Sequence, residues 1–176
     1  MSAAPHACAS TTGLTWIVRR GGDVDLAACA ELETASFPTP WTLAMLRAAL
    51  DREALLLVCC GPPGSSGSST TPDGSPLGYA LLTMTPPEAE LLRLAVRPEA
   101  RTHGVASSLL ARIRCALRTD RVTSLYLEVR SDNVAAIGLY DKWRFERVAV
   151  RRGYYADGVD AVVLRWRLDE LEPDRR

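Results

Sequence analysis

Residues 124–140 read SLYLEVRSDNVAAIGLY, and the fold turns on them. Leu125, Leu127 and Val129 alternate with Tyr126, Glu128 and Arg130, the two-residue period of a half-buried β-strand. Asp132 and Asn133 follow, short polar side chains that cap helices by accepting from backbone N–H groups. Ala136, Leu139, Tyr140 and then Trp143 recur on one helical face, so a helix through Trp143 is expected.

Working outward, the pattern keeps changing period. Upstream, Val105, Leu109, Leu110, Ile113 and Leu117 share a face while Arg112, Arg114 and Arg118 point away, which predicts an amphipathic helix over 105–118. Strands are expected at 77–85 and 88–96, joined across Pro86-Pro87, with a loop over 97–104. Earlier still come a strand over 14–19, a helix capped by Asp23 and ending near Ser36, and a second helix to Leu50. Thr39 and Pro40 are the expected cap and first turn of that second helix, and a buried strand follows at 54–60. Downstream, strands at 145–154 and 159–167 form a hairpin around Asp157-Gly158. The order is βαα-βββ-αβ-αββ, an α/β (mixed α+β) class with a mixed sheet flanked by helices. All but one of residues 61–76 are Gly, Pro, Ser or Thr, so that segment is expected to be a mobile loop. Residues 1–13 are expected to be a flexible N-terminus, 14–168 a single domain and 169–176 a charged tail.

Composition narrows the functions. The chain has 176 residues, 21 basic and 21 acidic side chains, and a formal net charge of +0, which argues against a dedicated nucleic-acid binder. Lys142 is the one lysine, so a Walker-type phosphate loop is excluded. The longest apolar run, 54–60, is too short for a bilayer crossing of about 20 residues. No basic-then-apolar signal segment opens the chain. Five cysteines (Cys8, Cys29, Cys59, Cys60 and Cys115), without a Cys-x-x-Cys, read as reduced thiols of a cytoplasmic protein. His6 and His103 are too isolated for a metal site, and none is expected.

Three places can carry chemistry, each with a plainer alternative. Gly104, ahead of the 105–118 helix, can let helix-start amides hold an anion, or simply let the chain turn. Glu128 can act as a general base, or belong to a solvated strand face, or form an ion pair with Arg130. Tyr140 can donate a proton into a cleft, or fill the core with its hydroxyl at the edge.

Taken in order, Arg101-x-x-Gly104-x-Ala106 opening a helix, Leu127-Glu128-Val129-Arg130, and Asn133-x-x-Ala136-x-x-Leu139-Tyr140 resemble the GCN5-related N-acetyltransferase (GNAT) superfamily. Residues 126–140, Arg151-Arg152-Gly153-Tyr154-Tyr155, and the Phe37 to Trp41 segment are more specifically similar to its RimI branch, which acetylates the N-terminus of a ribosomal protein. The resemblance covers roughly residues 15–167 and implies a mostly antiparallel twisted sheet of about seven strands with about four helices. It implies acetyl-CoA as co-substrate and a protein or peptide N-terminus, such as that of a ribosomal protein, as acceptor, with neither nucleic acid nor membrane as partner. In that family the strand matching Leu94, Ala95 and Val96 offers backbone groups to the pantetheine arm. The loop matching Arg101, Thr102, His103, Gly104, Val105, Ala106 and Ser107 wraps the pyrophosphate, and the residue matching Asn133 meets the cofactor further along. Glu128 matches the proton acceptor and Tyr140 the proton donor. The alternatives are a GNAT enzyme acting on a small-molecule amine or a lysine side chain, and a non-catalytic acyl-CoA-binding module. Arg144 stands where the family usually has glycine, at a helix end suited to the left-handed conformation.

The zero net charge conceals two halves. Residues 1–90 hold four basic and nine acidic side chains, residues 91–176 seventeen and twelve. The arginine-rich half is expected to grip the anionic cofactor. Glu31 and Glu33, in the acidic half, are expected to face a cationic acceptor.

Overall fold

The computed structural model describes residues 6–9, 15–61 and 75–168. The expected loop over 61–76, apart from its ends, and the expected tail 169–176 lie outside the described residues, as does most of the expected N-terminal segment. The elements are β1 (His6–Ala9), β2 (Thr15–Arg20), α1 (Leu26–Ser36), α2 (Leu43–Leu50), β3 (Leu55–Cys60), β4 (Gly78–Thr85) and β5 (Glu88–Val96). Then come α3 (Val105–Thr119), β6 (Ser124–Arg130), α4 (Val134–Lys142), β7 (Glu146–Arg151) and β8 (Ala161–Arg167). The class is mixed α/β with a mostly antiparallel open sheet and four helices, as expected. The seven expected strands are present, and β1 adds a short eighth that pairs antiparallel with β2. Among the described residues no helix is long and apolar enough to cross a membrane.

Contacts divide the chain into two compact units, residues 1–82 with 93–113 and residues 83–92 with 114–176. In the first, β2, β3 and β4 pair antiparallel in that order, with Val18 opposite Cys59 and Val58 opposite Tyr79. Every residue of β3 is buried, which is why its sequence is a continuous apolar run rather than an alternation. Trp16, Leu26, Leu46, Leu57 and Leu81 pack its core at 1–2% exposure. Gly78 allows close packing here: a Cβ would come 2.8 Å from the carbonyl oxygen of Ala95 and 2.9 Å from a methyl of Val105. Val105, Leu109, Leu110 and Ile113 are buried as the helical period predicts.

The first unit corrects three expectations. The residues after Gly22 form a 3-10 turn before α1, and Asp25 accepts from Gly22 N (3.0 Å) and from Arg19 (2.6 and 2.9 Å). Asp23, the expected cap, pairs with Arg47 instead. Helix α2 starts at Leu43 with Thr42 as its cap, whose hydroxyl accepts from Met45 N at 3.3 Å, so Thr39 is not the cap. The reason is tertiary: Glu33 accepts from Trp41 N at 2.7 Å and holds the connecting segment out of the helix. Glu33 itself does not face an acceptor. It is fully buried, takes hydrogen bonds from the Tyr79 hydroxyl and the Arg93 guanidinium, and forms an ion pair with Arg93.

In the second unit the order is β5-β6-β8-β7. Strand β6 pairs parallel with β5 over Glu88–Leu91, and antiparallel with β8 along its whole length. Its Leu125, Leu127 and Val129 are buried and the alternate residues half-buried, matching the alternation. An aromatic cluster lines the covered side: Trp166 lies 5.4 Å from Trp143 and 5.3 Å from Phe145, which lies 5.1 Å from Tyr140. The last hairpin is shorter than expected, with β7 ending at Arg151 and β8 starting at Ala161.

Candidate active site

The parallel ladder sets Glu90 opposite Tyr126 and Glu88 opposite Ser124, and the antiparallel ladder sets Glu128 opposite Val163. Strand parity therefore brings Glu88, Glu90, Tyr126, Glu128 and Val163 to one face. There they line a cavity of about 370 Å³ together with Thr83 and Arg151. Polar groups converging on a concavity of this size are what a small-substrate site requires.

Glu128 is 22% exposed and does not pair with Arg130. Its Oε1 lies 2.8 Å from the guanidinium of Arg151, whose side chain is 58% exposed. Tyr154 hydrogen-bonds to the same carboxylate, and this bond is the main cause of its phenol pKa rising above the ordinary value. The Arg151 guanidinium stands 5.5 Å over the Tyr154 ring, and Tyr155 meets Tyr154 edge-on at 5.3 Å. Arg130 turns instead to Asp132 and Asp157, at 2.8 Å each, and its hydrogen bonds hold both carboxyls below the usual carboxylate range. This clamp ties the start of the α4 turn to the hairpin that carries Tyr155.

Asn133 caps α4: its side-chain oxygen accepts from Ala136 N at 3.1 Å. Tyr140 is 6% exposed, and desolvation raises its phenol pKa far above the ordinary value. It packs on Phe145 and is not among the residues lining the cavity. The structure thus brings Glu128 to the cavity and places Tyr140 in the packed layer of the same unit.

The remaining expected residues belong to the first unit. Leu94, Ala95 and Val96 end β5. Arg101 donates from Nε to the Val96 carbonyl at 3.2 Å. The Thr102 hydroxyl donates to the Arg101 carbonyl at 2.6 Å, and His103 Nδ1 lies 2.7 Å from the same oxygen. Thr102 and Gly104 hold positive φ, +64° and +94°, so the chain turns sharply before Val105 begins α3. Ala106 and Ser107 complete the opening turn of that helix, and the hydroxyl of Ser108 donates back to the Gly104 carbonyl at 3.1 Å. The first amides of such a helix have no intrahelical partner and carry the positive end of its dipole. No carboxylate lies in 101–107 to repel an anion, so the stretch suits a pyrophosphate.

Sequence reasoning missed Glu88 and Glu90 as cavity residues and Arg151 as the partner of Glu128. Strand parity puts both glutamates on one side of β5, and the side they share with Glu128 follows from the parallel register.

The profile of the Acetyltransferase (GNAT) family matches residues 26–145. An N-alpha-acetyltransferase of Saccharolobus solfataricus is 40% identical over 78 residues, 44% of this chain, and the chain spans 47% of that relative's length. The N-alpha-acetyltransferase RimI of Mycobacterium tuberculosis is 36% identical over 148 residues, covering 80% of this chain and 85% of that protein. Among solved structures, the ribosomal-protein-S18-alanine N-acetyltransferase of Escherichia coli superposes with a TM-score of 0.75 at 25% identity, covering 92% of this chain and 98% of that one. The profile match over most of the chain and the mycobacterial relative show that the chain belongs to the GNAT acetyltransferase family.

Proposed function

We propose that the protein is an acetyl-CoA-dependent N-α-acetyltransferase of the RimI kind, working in the cytoplasm on the free N-terminus of a protein, a ribosomal protein first among the candidates. The observation that carries this reading is Glu128, a half-buried carboxylate facing a polar cavity. The similarity to the mycobacterial RimI over most of both chains supports it.

Bound acetyl-CoA supplies an activated acetyl thioester. The backbone of Leu94, Ala95 and Val96 binds its pantetheine arm. The backbone amides from Arg101 to Ser107 would hold its pyrophosphate, and Asn133 would contact it further along. Glu128 takes the proton of the acceptor ammonium onto a carboxylate oxygen, which frees the nitrogen lone pair. A peptide α-amine, with a pKa of about 7.7–8.0, needs far less help at neutral pH than a lysine side chain at about 10.4. The amine nitrogen would bond to the acetyl carbonyl carbon as the carbon–sulfur bond breaks, and the hydroxyl of the largely buried Tyr140 would protonate the CoA thiolate.

The test is CoA release with acetyl-CoA and short peptides that differ at their N-termini. Free-amine peptides are expected to release CoA and the same peptides with blocked N-termini are not. Glu128→Gln is expected to lower kcat about 10²–10⁴-fold with an unchanged melting temperature, the usual worth of a positioned base. Tyr140→Phe is expected to slow turnover while leaving acetyl-CoA binding intact. Wild-type rates in either variant remove that residue's role.

A further inference from the structure

Removal of a proton from the acceptor depends on every charge around the cavity, not on Glu128 alone. From β5 come Glu88 and Glu90, from β6 Tyr126 and Glu128, and from the end of β7 Arg151. Tyr154 joins them through its bond to Glu128. Of the neighbouring cations, Arg130 is held by Asp132 and Asp157, and Arg165 by Glu146 at 3.0 Å while it also hydrogen-bonds the Tyr126 side chain without lining the cavity. Among the described residues Arg151 is therefore the one cation lining a cavity that holds three carboxylates.

Arg151 already sits where a cation belongs, 2.8 Å from Oε1 of Glu128. A guanidinium does not give up its proton near neutral pH, so it cannot replace the acceptor in the reaction. A carboxylate offers about four lone-pair sites, enough to keep Arg151 and Tyr154 while receiving an ammonium. An acceptor amine bound to Glu128 then lies beside a fixed positive charge. A like charge within about 4–6 Å disfavours the protonated form of such a group, by one to three pKa units. The three carboxylates act in the opposite sense, stabilising the ammonium and so opposing its deprotonation.

We infer that Arg151 is a positioning residue for the reacting amine: by sharing Glu128 with the acceptor it offsets the carboxylates of the cavity and loosens the amine's proton. This rests on Glu128 being the proton acceptor. The sign is definite. Without Arg151 an ammonium meets three carboxylates and no other cation among the described lining residues, so it binds more tightly yet loses its proton only at higher pH. Acceptor KM and kcat must therefore fall together, a pattern that loss of packing does not produce.

The experiment is a set of kcat and KM profiles from pH 6 to 9.5 for wild type, Arg151→Gln and Arg151→Lys, using acetyl-CoA and a peptide with a free α-amine. For Arg151→Gln the acid limb of kcat is expected to move up by about one pH unit, with about a tenfold lower kcat at pH 7 and rates converging toward pH 9. Acceptor KM is expected to fall severalfold and acetyl-CoA KM to stay the same. Arg151→Lys, which keeps the charge, is expected to restore the wild-type profile. If the wild type releases CoA with no free-amine peptide, the functional reading fails and the inference falls with it. If the wild type turns over but Arg151→Gln keeps its profile, or loses rate equally at every pH, the inference alone is overturned. A melting temperature for each variant separates unfolding from a change in chemistry.

Discussion

Arg144 shows how a residue that breaks the family pattern is accommodated. Its φ is +60°, the left-handed conformation that glycine adopts freely. The surrounding bonds are those of a Schellman end: Phe145 N donates to the Tyr140 carbonyl and Arg144 N to the Asp141 carbonyl, both at 3.0 Å. The apolar contact that accompanies the motif is the Tyr140–Phe145 ring pair. Packing of Phe145 against Tyr140 and Trp166 thus holds the turn against the preference of Arg144. A left-handed non-glycine residue costs roughly 1–2 kcal/mol, and glycine returns part of that in unfolded-chain entropy. Arg144→Gly is therefore expected to stabilise the protein by about 0.5–1 kcal/mol, a rise of about 1–4 °C in melting temperature for a chain of this size. A lower melting temperature would show that the arginine side chain contributes more than its backbone costs.

At the scale of elements, the α1–α2 connection depends on a buried charge. Glu33 on α1 accepts from Tyr79 on β4, Arg93 on β5 and the backbone of Trp41, while the Arg93 guanidinium lies 3.7 Å over the Phe37 ring. Burial, then the bond to Glu33, drives the Tyr79 phenol pKa well above its usual value. Removing one partner of a buried pair leaves the other uncompensated and costs about 3–5 kcal/mol, whereas replacing both with apolar groups is often neutral. Arg93→Met is expected to lower stability in urea unfolding by that amount, and Glu33→Leu with Arg93→Met to recover most of it. This pair also marks the limit of what the sequence discloses. Strands β5 and β6 have the expected bounds, because the Pro86-Pro87 break and the alternation of 124–130 lie within the local sequence. The start of α2 was misplaced because a side chain eight residues away, invisible to local period, takes up the Trp41 amide. The site divides in the same way. Glu128 was legible from its motif, while its partner Arg151 depends on the β6–β8–β7 register, which has an irregularity between Arg147 and Ala149.

Across the whole molecule the balanced charge of +0 decides little, because position and not sum sets what a ligand meets. Glu33, expected to attract a cationic acceptor, is spent on Arg93. The acidity that the proposed reading offers an acceptor is instead that of Glu88, Glu90 and Glu128 around the cavity, offset among the described lining residues by Arg151. That arrangement still suits a positively charged N-terminal segment, now through named carboxylates on β5 rather than on α1. Glu88 and Glu90 are exposed, so each is screened and worth at most about 1 kcal/mol toward a cation, or up to about fivefold in affinity. Acceptor peptides with a cationic side chain at their second or third residue are expected to have KM values severalfold below those of otherwise identical acidic peptides. Salt is expected to narrow the gap, because the Debye length shortens from about 10 Å at 0.1 M to about 3 Å at 1 M. Glu88→Gln with Glu90→Gln is expected to abolish most of the preference and, because two charges that hold the ammonium are gone, to raise kcat for a neutral peptide at neutral pH rather than lower it. The readout is the ratio of kcat/KM for cationic and acidic peptides at both salt concentrations. A ratio that survives the double substitution would move the source of the preference away from β5.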